Sequence, residues 1–246
     1  VLVQADDHTE PELIDLYRRD ANGNQTDKLN AQLVNRLDQL DRKAARRRGE
    51  QRPDKRKGGK GGKWNDHSRK PERHTPRRWA VVDELNFLGV LPGIYFIFSR
   101  NGCDQAVEQC INAGLELTTD DEVRRIRRIV DEMVEGQLSQ EDLKALHFSQ
   151  FRFALEEGFA PHHAGMVALF RQIVERLFEE GLVKVVFATE TLALGINMPA
   201  RCVVVEKLEK FDGTGHVGLT PGEFTQLTGR AGRRGIDTIG HAVVVD

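Results

Sequence analysis

From residue 79 onward, short apolar runs alternate with longer amphipathic segments, and few folds accommodate such a pattern. The apolar runs lie at residues 94–98, 183–188, 202–206 and 242–245. A continuous run of this length, rich in β-branched side chains, is typical of a strand that is covered on both faces. Strands that alternate with helices predict a parallel sheet with right-handed crossovers, so we expect a three-layer α/β domain. In such sheets ligands bind beyond the carboxyl ends of the strands.

Amphipathic stripes and helix signals predict the elements between these strands. Helices are expected at residues 81–88, 103–113, 119–133, 139–157 and 166–177. The helix at 119 begins with the capping-box sequence TDDE, and Gly114 and Gly181 follow two of the predicted helices as stop signals. Between the last two helices, the stretch FAPHHAGM at 159–166 interrupts the helical periodicity.

A basic tract covers residues 41–78. Between Arg42 and Arg78 there are 16 lysines and arginines and 4 acidic residues, a local net charge of +12. The rest of the chain has 20 basic and 34 acidic residues, a net charge of −14. Like-charge blocks of this kind stay solvated and bind polyanions. Because few apolar residues offset the entropy of ordering, the tract is predicted to be a disordered insertion.

The cysteines and the chain ends bear on the cellular context. Cys103, Cys110 and Cys202 form neither a disulfide framework nor a zinc pattern, and the first two share a helical stripe typical of core residues. The absence of a cysteine pattern typical of disulfides suits a reducing compartment, so a cytoplasmic location is expected. No apolar run approaches the roughly 20 residues of a membrane helix, and no membrane partner is expected. The chain starts at Val1 and stops just after an apolar run, so we expect both ends to be truncated.

The segment LTPGEFTQLTGRAGRRGID, residues 219–237, carries the most specific pattern in the chain. Thr220 is a good N-cap, Pro221 suits the first helical position, and Glu223 completes a capping box. Gly229 and Gly232 each weaken a helix by about 1 kcal/mol relative to alanine. We infer that something large approaches this backbone closely.

If the helix continues at about 100° per residue, Gln226, Arg230 and Arg233 fall on one face. The opposite face is then expected to pack on the sheet through Phe224, Leu227 and Ala231. Two guanidinium forks beside an amide suit a phosphoryl group, because arginine binds planar oxygens in pairs and keeps its charge. The alternative is a solvated basic helix end, where arginine favours the helix dipole. The residues alone leave both interpretations open.

Two other segments bring polar residues to strand ends. VKVVFATETLALGINMPA, residues 183–200, delivers Thr189 and Glu190 at the end of a buried strand, where a short helix begins. Free backbone N–H groups at such a start bind phosphate, although an ordinary strand-to-helix turn is the alternative. PGIYFIFSRNGCDQA, residues 92–106, places Ser99 and Arg100 at a strand end in the same way.

Together these segments resemble the superkiller-like branch of the superfamily 2 helicases. QLTGRAGRRG resembles motif six, 183–200 resembles motif five and 92–106 resembles motif four, while PHHAGM and KFDGTGH are also typical of the branch. The resemblance covers about residues 77–246, and weakly 1–20. It implies a RecA-like second motor domain at 79–246, truncated at its C-terminal end. Residues 1–40 would hold the linker strand between motor domains and the start of the insertion.

The resemblance also implies roles for single residues. In this family the motif-six arginines reach across a cleft to the γ-phosphate of ATP, so Arg230 and Arg233 would be catalytic arginine fingers and Gln226 a nucleotide-sensing contact. Gly195 and Asn197 would lie near the nucleotide and the domain interface. Contacts to nucleic acid are implied for Ser99, Arg100, Thr189, Glu190, His162 and His163.

Two patterns that suggest a complete ATP site are rejected. GGKGGKW superficially matches a phosphate-binding loop, but Lys63 precedes Trp64 where that loop needs Ser or Thr. VVDELN, residues 81–86, resembles the acidic end of a magnesium-binding strand, but Val81, Leu85 and Leu88 fit a helix. We therefore expect no metal ligands here. The phosphate loop and Mg²⁺ ligands for ATP would lie in the missing first motor domain of the same parent chain.

The predicted function is ATP-driven, 3′-to-5′ translocation along single-stranded RNA or DNA, with RNA the expected substrate from the resemblance. The alternative is a non-catalytic nucleic-acid-binding module that uses the basic tract. The alternative predicts that deletion of residues 42–78 abolishes function, whereas the helicase interpretation predicts weakened affinity only.

Overall fold

The computed structural model describes residues 1–4, 9–50, 75–192, 198–211 and 214–245. These residues divide into two compact units, with the boundary between Pro76 and Arg77.

The first unit contains two short antiparallel pairs and one helix. Strand β1 (Leu2–Val3) pairs with β2 (Glu12–Leu13), and β3 (Tyr17–Arg19) pairs with β4 (Gln25–Leu29). Helix α1 (Ala31–Glu50) follows. A small apolar cluster holds the unit together through Val3, Ile14, Leu33 and Leu40.

Helix α1 corrects the predicted start of the disordered insertion. The helix continues to Glu50, so residues 41–50 of the basic tract are helical. This stretch contains two alanines and five basic residues with straight side chains, all good helix formers, and it extends an existing helix without a new nucleation step. The predicted disorder of residues 51–74 lies outside the described residues. At the other end of the tract, Arg78 already belongs to the next helix.

The second unit is built on a five-stranded, entirely parallel sheet. Its strands are β5 (Gly93–Phe96), β6 (Phe159–His162), β7 (Val185–Ala188), β8 (Cys202–Val205) and β11 (His241–Val244). Their order across the sheet is β11-β8-β5-β7-β6. A hairpin of β9 (Glu209–Phe211) and β10 (His216–Gly218) follows β8. Four of these parallel strands match the predicted apolar runs; β6 falls in the FAPHHAGM stretch.

Seven helices of the described residues surround this sheet. They are α2 (Arg78–Phe87), α3 (Arg100–Asn112), α4 (Asp120–Val134), α5 (Gln140–Ala145), α6 (Phe148–Glu156), α7 (Ala168–Glu179) and α8 (Pro221–Thr228). The capping box at Thr119 is formed as predicted. Gly114 and Gly181 both have positive φ, which explains why glycine ends helices α3 and α7.

The predicted helix at 139–157 is wrong in one respect, because it is broken in two. His147 adopts a left-handed conformation with φ of 51° between α5 and α6. A non-glycine residue pays a steric cost in that conformation, and the apolar periodicity of the sequence carries no sign of it. The break lets Phe148 and Phe151 pack on Phe170 of α7, with the Phe151 and Phe170 rings stacked 4.4 Å apart.

Alternate residues of the central strand point to two different layers. Ile94 and Phe96 join the apolar cluster formed with α4 and α7, whereas Tyr95 contacts Phe187 on the other face at 5.5 Å between ring centroids. Full burial of such a side chain contributes about 1.5–3 kcal/mol. The result is a three-layer RecA-like α/β domain, as the sequence predicted. No helix in the described ranges is long and apolar enough to cross a membrane.

Candidate nucleic-acid and nucleotide sites

The six residues predicted to contact nucleic acid lie along one edge of the sheet. The strands are parallel, so their carboxyl ends meet at the same edge. In space β7 lies between β6 and β5. The row of candidates along that edge therefore runs His162 and His163, then Thr189 and Glu190, then Ser99 and Arg100.

Ser99 caps helix α3, and Arg100 begins it. The Ser99 hydroxyl accepts the backbone N–H of Gly102 at 3.1 Å, and both Ser99 and Arg100 are exposed. A side chain at Gly102 would meet Ile97 Cγ2 at 2.8 Å, so only glycine lets the first turn approach the strand this closely. The positive end of a 13-residue helix thus opens at this edge beside an arginine.

A largely buried ion pair fixes this first turn, and no local sequence pattern predicts it. The Arg78 guanidinium donates to both carboxylate oxygens of Glu206, at 2.6 and 3.1 Å, and to the carbonyl of Gly102 at 3.2 Å. The two side chains are only 18% and 11% exposed. Glu206 follows β8 directly, so the pair connects α2, α3 and β8. Arg78 is the last residue of the basic tract, and the composition of that tract carries no sign of this partner.

His163 holds the loop that follows β6. Its Nδ1 accepts the N–H of Gly165 at 3.2 Å, and its Nε2 lies 3.1 Å from Asp104 Oδ1. Because Nδ1 accepts, these partners assign the proton to Nε2, which donates to the carboxylate. A Cβ on Gly165 would lie 3.4 Å from the Arg100 Cδ, so this loop lies against Arg100.

His162 is also buried and paired, with Glu175 of α7. Its Nε2 lies 2.8 Å from the Glu175 Oε1, whereas its Nδ1 is buried without a partner among the described residues. Burial lowers the pKa of His162, against the opposing effect of Glu175. The ring is only 5% exposed. Both histidine rings therefore bond to other side chains inside the domain. The surface at this edge is formed by the loop that they hold.

Thr189 and Glu190 end β7 with different surroundings. The Thr189 hydroxyl is buried and lies 2.9 Å from the Thr191 hydroxyl. The Glu190 carboxylate, nearly half exposed, accepts from the Lys210 ammonium at 3.2 Å. Lys210 also donates to Glu223 at 2.6 Å, and this bond, together with those from Thr220, lowers the pKa of Glu223 to about 2.

The motif-six helix begins as predicted and ends earlier. Thr220 and Glu223 form the capping box, with Pro221 in the first turn, but α8 stops at Thr228 with Gly229 as its C-cap. The single-helix register that placed Gln226, Arg230 and Arg233 on one face is therefore wrong. Gln226 lies exposed on the helix, whereas the two arginines follow in a loop. Leu227 is buried against the sheet as expected, and Phe224 and Ala231 pack beside it.

Gly232 has a different cause from the one inferred. A Cβ on Gly240 would lie 2.5 Å from the Gly232 nitrogen, and Gly232 has φ of +90°. Ala231 forms a parallel bridge with Ala200, and the Gly232 N–H donates to the Ala200 carbonyl at 2.7 Å. It is the chain itself that approaches closely, so glycine is needed for this crossing.

Arg233 is held by Asp237 within the same loop. Its Nε and Nη2 each donate to a carboxylate oxygen at 2.8 Å, and its backbone N–H adds a third bond at 2.9 Å. The Arg233 guanidinium lowers the pKa of Asp237 to about 2. About a quarter of the Arg233 side chain stays exposed. The fork is thus pre-oriented, with one side still open.

The arginine loop lies at the opposite edge of the sheet from the nucleic-acid candidates. Ala200 precedes β8, and the His241 N–H at the start of β11 donates to the Arg201 carbonyl, so the loop is at the amino ends of these strands. Four-residue strands separate the two edges by roughly 13 Å. Gly195 and Asn197, the other nucleotide candidates, lie outside the described residues. Within the described ranges, no cluster of three or more His, Cys, Asp or Glu could hold a metal.

Comparisons with known proteins agree with this architecture. The helicase conserved C-terminal domain family matches residues 125–235. The probable helicase HelY of Mycobacterium tuberculosis is 57% identical over 170 residues, which is 69% of this chain and 19% of HelY. DExH-box ATP-dependent RNA helicase DExH11 of Arabidopsis thaliana is 38% identical over 70% of this chain and 13% of its own length.

The antiviral helicase SKI2 of Saccharomyces cerevisiae is 36% identical over 172 residues, 70% of this chain and 13% of SKI2. The chain thus spans 19% of HelY and smaller shares of the other two relatives. The matched region includes β6, β7, β8 and α8 and ends before β11, whereas Ser99 and Arg100 precede it. The chain therefore belongs to the superkiller-like DExH-box helicases, and its parallel-sheet unit is their second RecA-like domain.

Proposed function

We propose that this chain is the second motor domain of an ATP-dependent helicase that moves 3′ to 5′ along single-stranded RNA. The separation of the two candidate sites carries this proposal, since one edge of the sheet can follow a strand while the other receives a nucleotide. The printed name of the Arabidopsis relative, an ATP-dependent RNA helicase, supports both ATP and RNA. Three buried, unpaired cysteines support the cytoplasm as its compartment.

At the carboxyl edge, the exposed start of α3 would bind backbone phosphates. Ser99 and Arg100 offer a hydroxyl, a guanidinium and free N–H groups, and Thr189 ends the neighbouring strand. His162 and His163 would act through the loop that they fix beside Arg100. Contacts of this kind follow the sugar–phosphate backbone and ignore base sequence, as translocation requires. Single-stranded DNA is the alternative substrate.

At the amino edge, Arg230 and Arg233 would bind the phosphates of ATP presented by the first motor domain of the same polypeptide. The open side of the Arg233 fork fits this task, because guanidinium binds phosphoryl oxygens in pairs. Gln226, Gly195 and Asn197 would contribute further nucleotide contacts. The described residues contain no set of carboxylates that fits Mg²⁺, so the proposal assigns its ligands to the first motor domain. When bound there, Mg²⁺ supplies charge neutralisation for phosphoryl transfer.

Unwinding of tailed duplexes by the full-length protein tests the proposed function. With ATP, a duplex with a 3′ single-stranded RNA tail should be separated, whereas matched duplexes with a 5′ tail or blunt ends should not. Separation of the duplex without ATP would contradict the proposed motor function. Preference for the 5′ tail would reverse the direction, and equal rates on DNA tails would remove the preference for RNA.

The basic tract should add affinity that depends steeply on salt. Its +12 balance motivates this, because each phosphate neutralised by a lysine or arginine releases counterions. Binding to single-stranded RNA is measured against salt concentration, with and without residues 51–74, a deletion that keeps helix α1 and the Arg78–Glu206 pair. Deletion should flatten the slope of log affinity against log salt and leave ATP-driven unwinding in place. An unchanged slope would mean that the tract makes no phosphate contacts, and loss of all binding would favour a binding module over a motor.

A further inference from the structure

One side chain connects the two candidate sites. Lys210, in β9, donates to the Glu190 Oε2 at 3.2 Å and to the Glu223 Oε1 at 2.6 Å. Glu190 follows β7 at the carboxyl edge, and Glu223 lies in the first turn of α8. Lys210 thus joins the proposed strand-binding edge to the helix that leads into the arginine loop.

Glu223 carries this connection into the backbone of α8. Its second oxygen, Oε2, accepts from both the N–H and the hydroxyl of Thr220 at 2.8 Å. A movement of Lys210 would therefore displace the Glu223 carboxylate and, with it, the N-terminal cap of α8. From that cap, α8 runs without a break to Thr228, and two residues later the Arg230 carbonyl accepts from Ala200 at the amino edge. A short rigid helix transmits a displacement of one end to the other.

The cluster of Lys210, Glu190 and Glu223 is charged and therefore sensitive to a nearby phosphate. One ammonium faces two carboxylates, so the cluster has an excess of one negative charge. A phosphate at the end of β7 repels the Glu190 carboxylate, which changes the relative strength of the bonds from Lys210 to Glu190 and to Glu223. The side chains of Glu190 and Glu223 are 45% and 35% exposed, and exposed pairs contribute little to stability. Removal of Lys210 should therefore leave the fold intact.

We propose that Lys210 is a positioning residue that couples strand binding at the carboxyl edge to the arginine loop at the amino edge. The inference rests on the proposed function, because it assigns the stimulation of ATP hydrolysis by RNA to a contact inside this domain. Coupling between two sites is reciprocal in its binding free energies. Lys210 would therefore also carry the effect of bound nucleotide on RNA affinity.

The test compares Lys210→Met with Lys207→Met in the full-length protein, using poly(U) as the RNA. Lys207 is an exposed lysine three positions earlier, so it matches the charge change without the two carboxylate partners. In Lys210→Met, stimulation of ATP hydrolysis by poly(U) should fall by about fivefold or more, the lower end of typical coupling. The RNA-free rate and the nucleotide-free affinity for poly(U) should stay within about twofold of wild type. Lys207→Met should match wild type in all three.

Lys210→Arg provides the rescue. A guanidinium reaches both carboxylates and keeps the charge, so this variant should retain most of the stimulation. Wild-type stimulation in Lys210→Met would overturn the inference, as would a loss of RNA affinity that accounts for the lost stimulation. A wild-type protein whose ATP hydrolysis ignores RNA would instead contradict the proposed function itself, and the coupling would fall with it.

Discussion

Replacement of Arg233 by alanine in the full-length protein is expected to lower RNA-stimulated ATP turnover by about a thousandfold or more. That loss corresponds to about 4 kcal/mol of transition-state stabilisation. The reason is geometric as well as electrostatic. Asp237 holds the Arg233 fork through two 2.8 Å bonds, so the guanidinium needs little reorganisation to meet a phosphoryl group. Arg230→Ala is expected to act in the same direction, while RNA binding stays largely intact in both variants.

The same contacts suggest an alternative, that Arg233 only shapes its own loop. Asp237→Asn separates the two, since it weakens the loop contact and leaves the guanidinium in place. For an arginine finger, Asp237→Asn should cost about tenfold or less in turnover, far below the cost of Arg233→Ala. Arg234→Ala, at an exposed neighbouring arginine, should stay within about twofold of wild type. Equal losses in Arg233→Ala and Asp237→Asn would return Arg233 to a structural role.

The parts of this domain that could be predicted have local causes. Four parallel strands and the start of α8 depend on apolar runs and on a capping box, which are readable within a few residues. The short strand β6 was missed because Pro161 and His162 interrupt its apolar run. Its pairing with β7, a neighbour from later in the chain, makes it a strand nonetheless.

The parts that could not be predicted depend on distant contacts. Arg78 meets Glu206 from 128 positions away, and His163 meets Asp104 from 59 positions away. The end of α8 is another case, because the Ala200–Ala231 bridge pulls the chain out of the helix. Residue types at the candidate sites were therefore predicted from the motifs, whereas their division between two sheet edges emerged only from the fold.

The isolated 246-residue chain is expected to hydrolyse no ATP, even with saturating RNA. Its second unit should fold, because residues 77–245 enclose a continuous apolar core. Hydrolysis needs a phosphate cradle, magnesium ligands and a residue that positions the attacking water. The sequence contains no Gly-x4-Gly-Lys-Ser/Thr loop, and the described residues contain no cluster of metal ligands.

Arginine fingers accelerate phosphoryl transfer only when another domain presents the triphosphate to them. An ATPase assay on the purified chain with poly(U) therefore should read background, and circular dichroism confirms beforehand that the chain is folded. Addition of the first motor domain of the same protein should restore turnover, and the same addition to an Arg233→Ala chain should not. Hydrolysis by the isolated chain would mean that it holds a complete ATP site. Restoration by the Arg233→Ala chain would mean that the second domain acts without its fingers.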